Sequence, residues 1–236
     1  MYRPHLVPAP TTLTVAIAVV LAAVAAGCTD FATPAELTKP TILAVTAEPP
    51  VVAPGGTAEL AVVVADGDGV ITGLPTGWAL VETYRGVPAM GTLSGSTYTA
   101  PDPIPSLPPN APPIDSVQLT IDTGAATLTA IKVIPVATVA AANPVISSFT
   151  VGAAEGLAGP ITVARDASLE LTVATDPPAG DDARYAWYSS AGLIERYQSN
   201  PTTLVAAEAP TTGWIFVVIR DGKGGVAWRG VEVTVE

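Results

Sequence analysis

Polar and apolar residues alternate along this chain in short runs. Between Thr57 and Ala65, Leu60, Val62 and Val64 share one parity while Thr57 and Glu59 take the other. Leu169, Leu171 and Val173 stand against Ser168, Glu170 and Thr172, and Val117, Leu119 and Ile121 against Ser116, Gln118 and Thr120. At the end of the chain Val231, Val233 and Val235 oppose Glu232 and Thr234. A period of two sends successive side chains to opposite faces of a strand, so each run predicts a strand with one buried and one wet face. From Thr41 onward no stretch repeats its apolar residues at helical spacing, and Gly, Pro, Asn and Asp punctuate the runs. The chain beyond this point is predicted to be all-β.

The runs form two copies of one layout. Each copy opens on an extended run, Thr41 to Glu48 or Val145 to Val151, and passes a gap containing Pro and Gly. A strongly alternating strand follows and ends in an Asp-rich loop, Asp66-Gly-Asp-Gly69 or Asp176-Pro-Pro-Ala-Gly-Asp-Asp182. Next comes a strand carrying a tryptophan, Trp78 or Trp187, and a last hairpin turning at Asp122-Thr-Gly124 or Asp221-Gly-Lys-Gly-Gly225. In the second hairpin glycines supply the positive φ angles of a tight turn. The small-residue stretch from Val136 to Ala142, before Asn143-Pro144, sets the expected boundary, with domains over 41–137 and 138–236. Copies of roughly 100 residues with short strands and a buried tryptophan on the third describe an immunoglobulin-like β-sandwich. Trp78 and Trp187 are accordingly expected in the two cores. Pro101 to Ile114 holds seven prolines in fourteen positions and is predicted to be a stiff, extended loop.

Specific segments sharpen this reading. Pro49-Pro-Val-Val-Ala-Pro-Gly-Gly-Thr-Ala58 resembles the start of bacterial immunoglobulin-like domains, and Gly95-Ser-Thr-Tyr-Thr-Ala-Pro101 resembles their later G-x-Y-x-A-P strand. In the second copy, Ala174-Thr-Asp-Pro-Pro178, Tyr185-Ala-Trp187 and Val218-Ile-Arg-Asp-Gly-Lys-Gly-Gly-Val226 are similar to PKD-like members of the same class. The resemblance implies two tandem immunoglobulin-like sandwiches, the second PKD-like, and says little about function, since sandwiches carry many unrelated tasks. Neither copy has the paired cysteines of antibody domains.

The amino terminus has a different character. After MYRPHLVPAPTT comes an uncharged apolar run from Leu13 to Ala26, too short to span a bilayer comfortably but suited to the apolar region of an export signal. The run closes on Ala25-Ala26-Gly27-Cys28, which resembles the lipobox of bacterial lipoproteins. That resemblance implies a signal peptide over 1–27 and acylation of Cys28, which becomes the first residue of a membrane-anchored chain. Several acyl chains would anchor the protein stably where one gives only marginal binding. Thr29 in place of Asp follows the sorting pattern of Gram-negative outer-membrane lipoproteins. An ordinary signal peptide cut after Ala23, Ala25 or Gly27, and an uncleaved anchor, are the alternatives. Residues 28–40, with Pro34 and Pro40 and no sustained apolar periodicity, are expected to be a tether.

Composition narrows the chemistry. The chain has 236 residues, 21 Asp+Glu against 10 Lys+Arg and a formal net charge of −11, which repels phosphate backbones and argues against nucleic-acid binding. The single histidine, His5, and the single cysteine, Cys28, lie within or at the edge of the signal segment. Little is then left for His-dependent triads, Cys nucleophiles or Cys/His zinc sites. Paired carboxylates are the remaining catalytic option, and nothing in the sequence places an Asp and a Glu together in a cleft. No enzyme is expected, and no cofactor is required.

Two groups of residues are candidate sites. In a sandwich the loop after the second strand and the loop between the last two strands share one end, so Asp176, Asp181, Asp182 and Asp221 are candidates for a calcium site. Asp66, Asp68 and Asp122 are the corresponding set in the first copy, and turn formation is the simpler account of both sets. Trp228 falls in the parity of Glu232 and Thr234, so either Gly230 marks a bulge that resets the phase or the indole lies outside. With Tyr197, Tyr188 and Trp214 it would offer an aromatic contact surface, core or edge packing being the alternative. The expected function is non-catalytic: a lipid-anchored structural, adhesion or scaffolding module of the cell envelope at the bacterial outer membrane, facing an envelope protein. The alternative is an envelope polysaccharide-binding module, assisted by Ca2+.

Overall fold

The computed structural model describes residues 33–84, 86–139 and 141–236; the signal segment and Cys28 lie outside them. Among the described residues there are seventeen strands and no helix. The first eight are β1 (Thr41–Glu48), β2 (Thr57–Asp66), β3 (Gly69–Ile71), β4 (Thr76–Val81), β5 (Thr92–Ser94), β6 (Thr97–Thr99), β7 (Ile114–Asp122) and β8 (Thr127–Pro135). They form one sheet in the order β1-β2-β6-β5, with β3 on the end of β2, and a second in the order β4-β7-β8. The next nine are β9 (Val145–Val151), β10 (Ala154–Glu155), β11 (Ile161–Val163), β12 (Ser168–Asp176), β13 (Arg184–Ser189), β14 (Gly192–Ile194), β15 (Thr202–Ala206), β16 (Thr211–Arg220) and β17 (Val226–Val235). Their sheets run β10-β9-β12-β15-β14 and β11-β17-β16-β13.

The two orders are the same topology. β1 pairs with β2 as β9 pairs with β12, β2 pairs with β6 as β12 pairs with β15, and β4 crosses over to join the β7–β8 hairpin as β13 joins the β16–β17 hairpin. This division of strands is that of an immunoglobulin-like sandwich. The halves also share its side exchange. In the second, β11 runs parallel to the last strand, pairing Ile161 with Val233. In the first, the same exchange shrinks to one parallel bridge between Val52 and Val136. The described residues are all-β, two immunoglobulin-like sandwiches in tandem.

Alternation places the cores. Val117, Leu119 and Ile121 are buried with Val45, Leu60 and Val64 in the first half. In the second, Leu171, Val173, Ile215, Val217, Ile219, Val231 and Val233 surround Trp187, which is fully buried. The indole lies 5.8 Å from the Phe149 ring in a tilted arrangement and donates Nε1–H to the Ser199 carbonyl at 2.8 Å, so its polar edge is satisfied. Trp78 differs from its counterpart: it is half-buried, packing against the edge of the first core. Between Pro101 and Pro113 the prolines form no strand, as their missing N–H groups require.

Residues 34–236 form one compact unit. Of the expected tether, residues 34–40 belong to this unit. Ala35 and Leu37 are buried, the Leu37 N–H donates to the Ser189 carbonyl at 3.0 Å, and the Ser189 N–H donates to Ala35 at 2.8 Å. Short as it is, this segment adds to the edge of β13 because its two apolar side chains find cover there, Ala35 in the second core itself.

Candidate functional site

The two sandwiches meet over a hydrophobic cluster of their own. Leu37, Leu43, Ala44, Val63 and Ala65 pack against Phe216, Val218 and Val226, with Tyr188 and Trp214 at the margin. Strand β16 makes this possible by being apolar on both parities: Ile215, Val217 and Ile219 enter the second core, while Phe216 and Val218 enter the junction. On the opposing side a register shift between Ile42 and Ala44 leaves Leu43 as a bulge, so two successive residues, Leu43 and Ala44, both serve the junction. Two glycines make sockets for aromatic rings. The Phe216 ring lies over Gly230, where a Cβ would collide with it, and Trp214 lies against Gly69 of the β2–β3 turn, where a Cβ would stand 2.9 Å from the indole. Gly69 also holds φ +117, so a side chain there would be strained as well as obstructed.

Polar contacts cross the junction at both ends. Asn143, in the segment between the halves, donates Nδ2–H to the Ala47 carbonyl at 2.8 Å and to Glu48 Oε2 at 2.6 Å, and its Oδ1 accepts the Val226 N–H at 2.8 Å. Ser190 donates its hydroxyl to the Gly67 carbonyl at 2.9 Å and accepts the Trp214 N–H at 2.9 Å. The Asp66-Gly-Asp-Gly69 loop is therefore a docking turn: Asp66 Oδ1 accepts the Asp68 N–H at 3.0 Å while the loop's backbone meets the second sandwich. Arg220 donates from Nη2 to the Leu43 carbonyl at 3.1 Å, and Lys132 donates from Nζ to the Gly224 carbonyl at 2.6 Å.

Lys132 stands where a sandwich expects an apolar residue. It has the parity of Leu128, Ala130 and Ile134 on β8 and is only 6% exposed. Burial lowers its ammonium to about 8, with the Asp221 carboxylate opposing the shift and the Arg220 guanidinium adding to it. An unfolded lysine titrates near 10.4, so the folded chain gives up this proton more readily than the unfolded one. Stability is therefore expected to rise as the pH goes from about 8 to about 10.5, by about 3 kcal/mol at most. Urea unfolding of wild type and Lys132→Met at pH 7.5 and 9.8 checks this: the gap between them should change with pH, and parallel behaviour would refute it.

The expected acidic end is only partly assembled. Asp181, Asp182 and Asp221 line one cavity of about 320 Å³ together with Lys223, Pro177 and Pro178, whereas Asp176 does not line it. Asp221 Oδ1 accepts the N–H groups of Lys223 and Gly225, each at 2.8 Å, so it caps its own turn. In the first half Asp122 caps Gly124 in the same way at 2.8 Å. Among the described residues, no group of three or more His, Cys, Asp or Glu is arranged to hold a metal ion. The aromatic residues do not gather either. Tyr197 packs against the second core, Tyr188 and Trp214 belong to the junction, and Trp228 is 38% exposed. The β16–β17 register is continuous through Gly230, so it is the absence of a bulge that leaves the Trp228 indole outside.

A second buried charge escaped sequence reading. Asp115, 1% exposed, accepts the Tyr98 hydroxyl at 2.8 Å and the N–H groups of Met90 and Gly91 at 2.8 and 2.7 Å. Burial and this bond to a carboxylate push the Tyr98 phenol well above its usual range. The signal was present in the sequence, since Asp115 is in phase with Val117, Leu119 and Ile121 as Lys132 is with Ile134. A charge at an inward parity marks either a satisfied network or a site.

No protein-family model matches the chain, and no curated protein matches it. Among solved structures it is similar to a chimeric titin Z1Z2-Z1Z2 tandem, at 13% identity over 84% of this chain and 100% of that one, with a TM-score of 0.32. The N-terminal Ig1-2 module of the Drosophila receptor protein tyrosine phosphatase DLAR is 12% identical over 84% of this chain and 98% of that one, with a TM-score of 0.30. A nucleoside hydrolase-related hypothetical protein from Saccharophagus degradans is 16% identical over 41% of this chain and 26% of that one, at 0.32.

Proposed function

We propose that this protein is a non-catalytic, lipid-anchored module of the bacterial outer membrane that serves as a rigid structural or adhesion piece of the cell envelope. Its tandem immunoglobulin-like architecture is consistent with structural or adhesion work. The observation that carries the reading is the shared apolar junction, in which Phe216 and Val218 of one sandwich pack on Leu43 and Val63 of the other. Two modules joined by a linker alone would swing; two modules sharing a buried cluster move as one body. The membrane end fits the same design. Cys28 lies seven positions before the buried Ala35, a reach of at most about 24 Å, so an acylated Cys28 holds the folded body near the bilayer.

Fractionation of cells with intact-mass analysis, comparing wild type with Cys28→Ala, tests the proposal. The wild type is expected to be acylated and membrane-bound and the variant released. An unmodified Cys28 in the membrane extract, or equal solubility of the two proteins, would overturn it.

A further inference from the structure

The junction contains a cavity of about 430 Å³ between β1, β8 and the hairpin that joins β16 to β17. Its lining inverts the charge of the rest of the protein. The chain has 21 acidic residues against 10 basic ones, yet the cavity is lined by Lys132 and Arg220 and by no Asp or Glu. Most of the remaining lining is apolar or glycine, including Ile42, Val45, Ile131 and Val226, and Ile131 is left 56% exposed.

We propose that this cavity binds a small amphiphilic oxyanion, a carboxylate or phosphate group on a short apolar body, with the charged end held by Lys132 and Arg220. Three features converge on it. Ligand sites favour concave, mostly apolar spaces of this size at domain junctions, with a few polar groups to fix orientation. The Lys132 ammonium has three N–H donors and spends one on Gly224, so two are left for an acceptor inside the cavity. Arg220 is exposed and anchored through one N–H of its fork on Leu43, which steadies the guanidinium without using all its donors. A buried cation is costly, and Asp221, outside the cavity lining, offsets that cost only in part, so an oxyanion in the cavity supplies a further partner. Glycines 222, 224 and 225 complete the wall with bare backbone.

The charged groups facing Lys132 are Arg220, at the end of β16, and Asp221, in the turn that follows. Since the bound oxyanion favours the ammonium, binding should take up a proton where Lys132 titrates, and affinity should fall about tenfold per pH unit above that point. The acidic surface opposes the approach of any anion, so moderate salt should not weaken binding as much as it would at an open basic patch.

The test is calorimetric titration of the full folded chain with octanoate, octyl phosphate and octanol. One site is expected for octanoate or octyl phosphate, with octanol at least tenfold weaker, and the tighter of the two anions assigns the head group. Lys132→Met and Arg220→Gln should each weaken the anion at least tenfold while leaving octanol unchanged. Wild type alone should show the loss of affinity between pH 7.5 and pH 9.5, a readout that does not depend on either variant folding. Absence of heat with both anions at millimolar concentration, equal binding of octanol, or a pH-independent affinity would each overturn the proposal.

Discussion

Phe216→Ala is expected to cost about 3–5 kcal/mol and to change how the protein unfolds, not only when. The Phe216 side chain is fully buried, stacks on Trp214 at 5.5 Å and lies over Gly230, so truncation leaves a void that β17 cannot fill without moving its backbone. The void sits in the cluster common to both sandwiches and outside either core. Wild type should therefore melt in one cooperative transition, because neither sandwich can unfold without exposing the face of the other. In the variant each sandwich keeps its own core while their coupling is lost, and two transitions should separate. Calorimetry with paired near-ultraviolet and far-ultraviolet melts reads this directly. A single coincident transition within 1 kcal/mol of wild type would show that the junction does not couple the halves.

Asp115→Ala is the second large effect, at about 3–5 kcal/mol. The substitution removes no apolar contact of note and strands three donors at once: the Tyr98 hydroxyl and the N–H groups of Met90 and Gly91. The Tyr98 hydroxyl is left fully buried and the two N–H groups half-buried, and the segment before β5 loses its attachment to β7. Tyr98→Phe should cost less, about 1 kcal/mol, since it deletes one donor and leaves the carboxylate two. Urea denaturation of the three proteins orders them, and a Tyr98→Phe loss equal to that of Asp115→Ala would refute the carboxylate's role as the hub.

How much of this was legible beforehand follows from the kind of signal each feature leaves. The core-facing residues of β2, β7, β12 and β17 could be read from parity, because one parity of each strand lines a core, but the expected wet face of β2 is buried at its end, where Val63 and Ala65 enter the junction. The Asp66 loop and the two last hairpins are legible as turns, and Asp66, Asp122 and Asp221 do cap them. The run from Trp214 to Ile219 is apolar at every position and so announces a strand covered on both faces, but such a run does not say what covers it. Ala35 and Leu37 sit in a stretch that reads as a tether because two apolar residues make no period. Parity leaves the side of Trp228 open, since it depends on whether Gly230 interrupts the strand, and the register with β16 resolves it.

The sequence by itself determined the strands, their inward faces, the turns and the two-fold repetition, since each depends on residues within a few positions of one another. It also determined the acidic surface and the lack of imidazole and spare thiol beyond the amino-terminal segment. The tertiary structure alone decided that the sandwiches share a junction, that Leu43 bulges toward it, and that Lys132 and Arg220 face one cavity. Those outcomes depend on residues as far apart as Lys132 and Gly224 or Leu43 and Arg220, and no local pattern records a contact made across such distances.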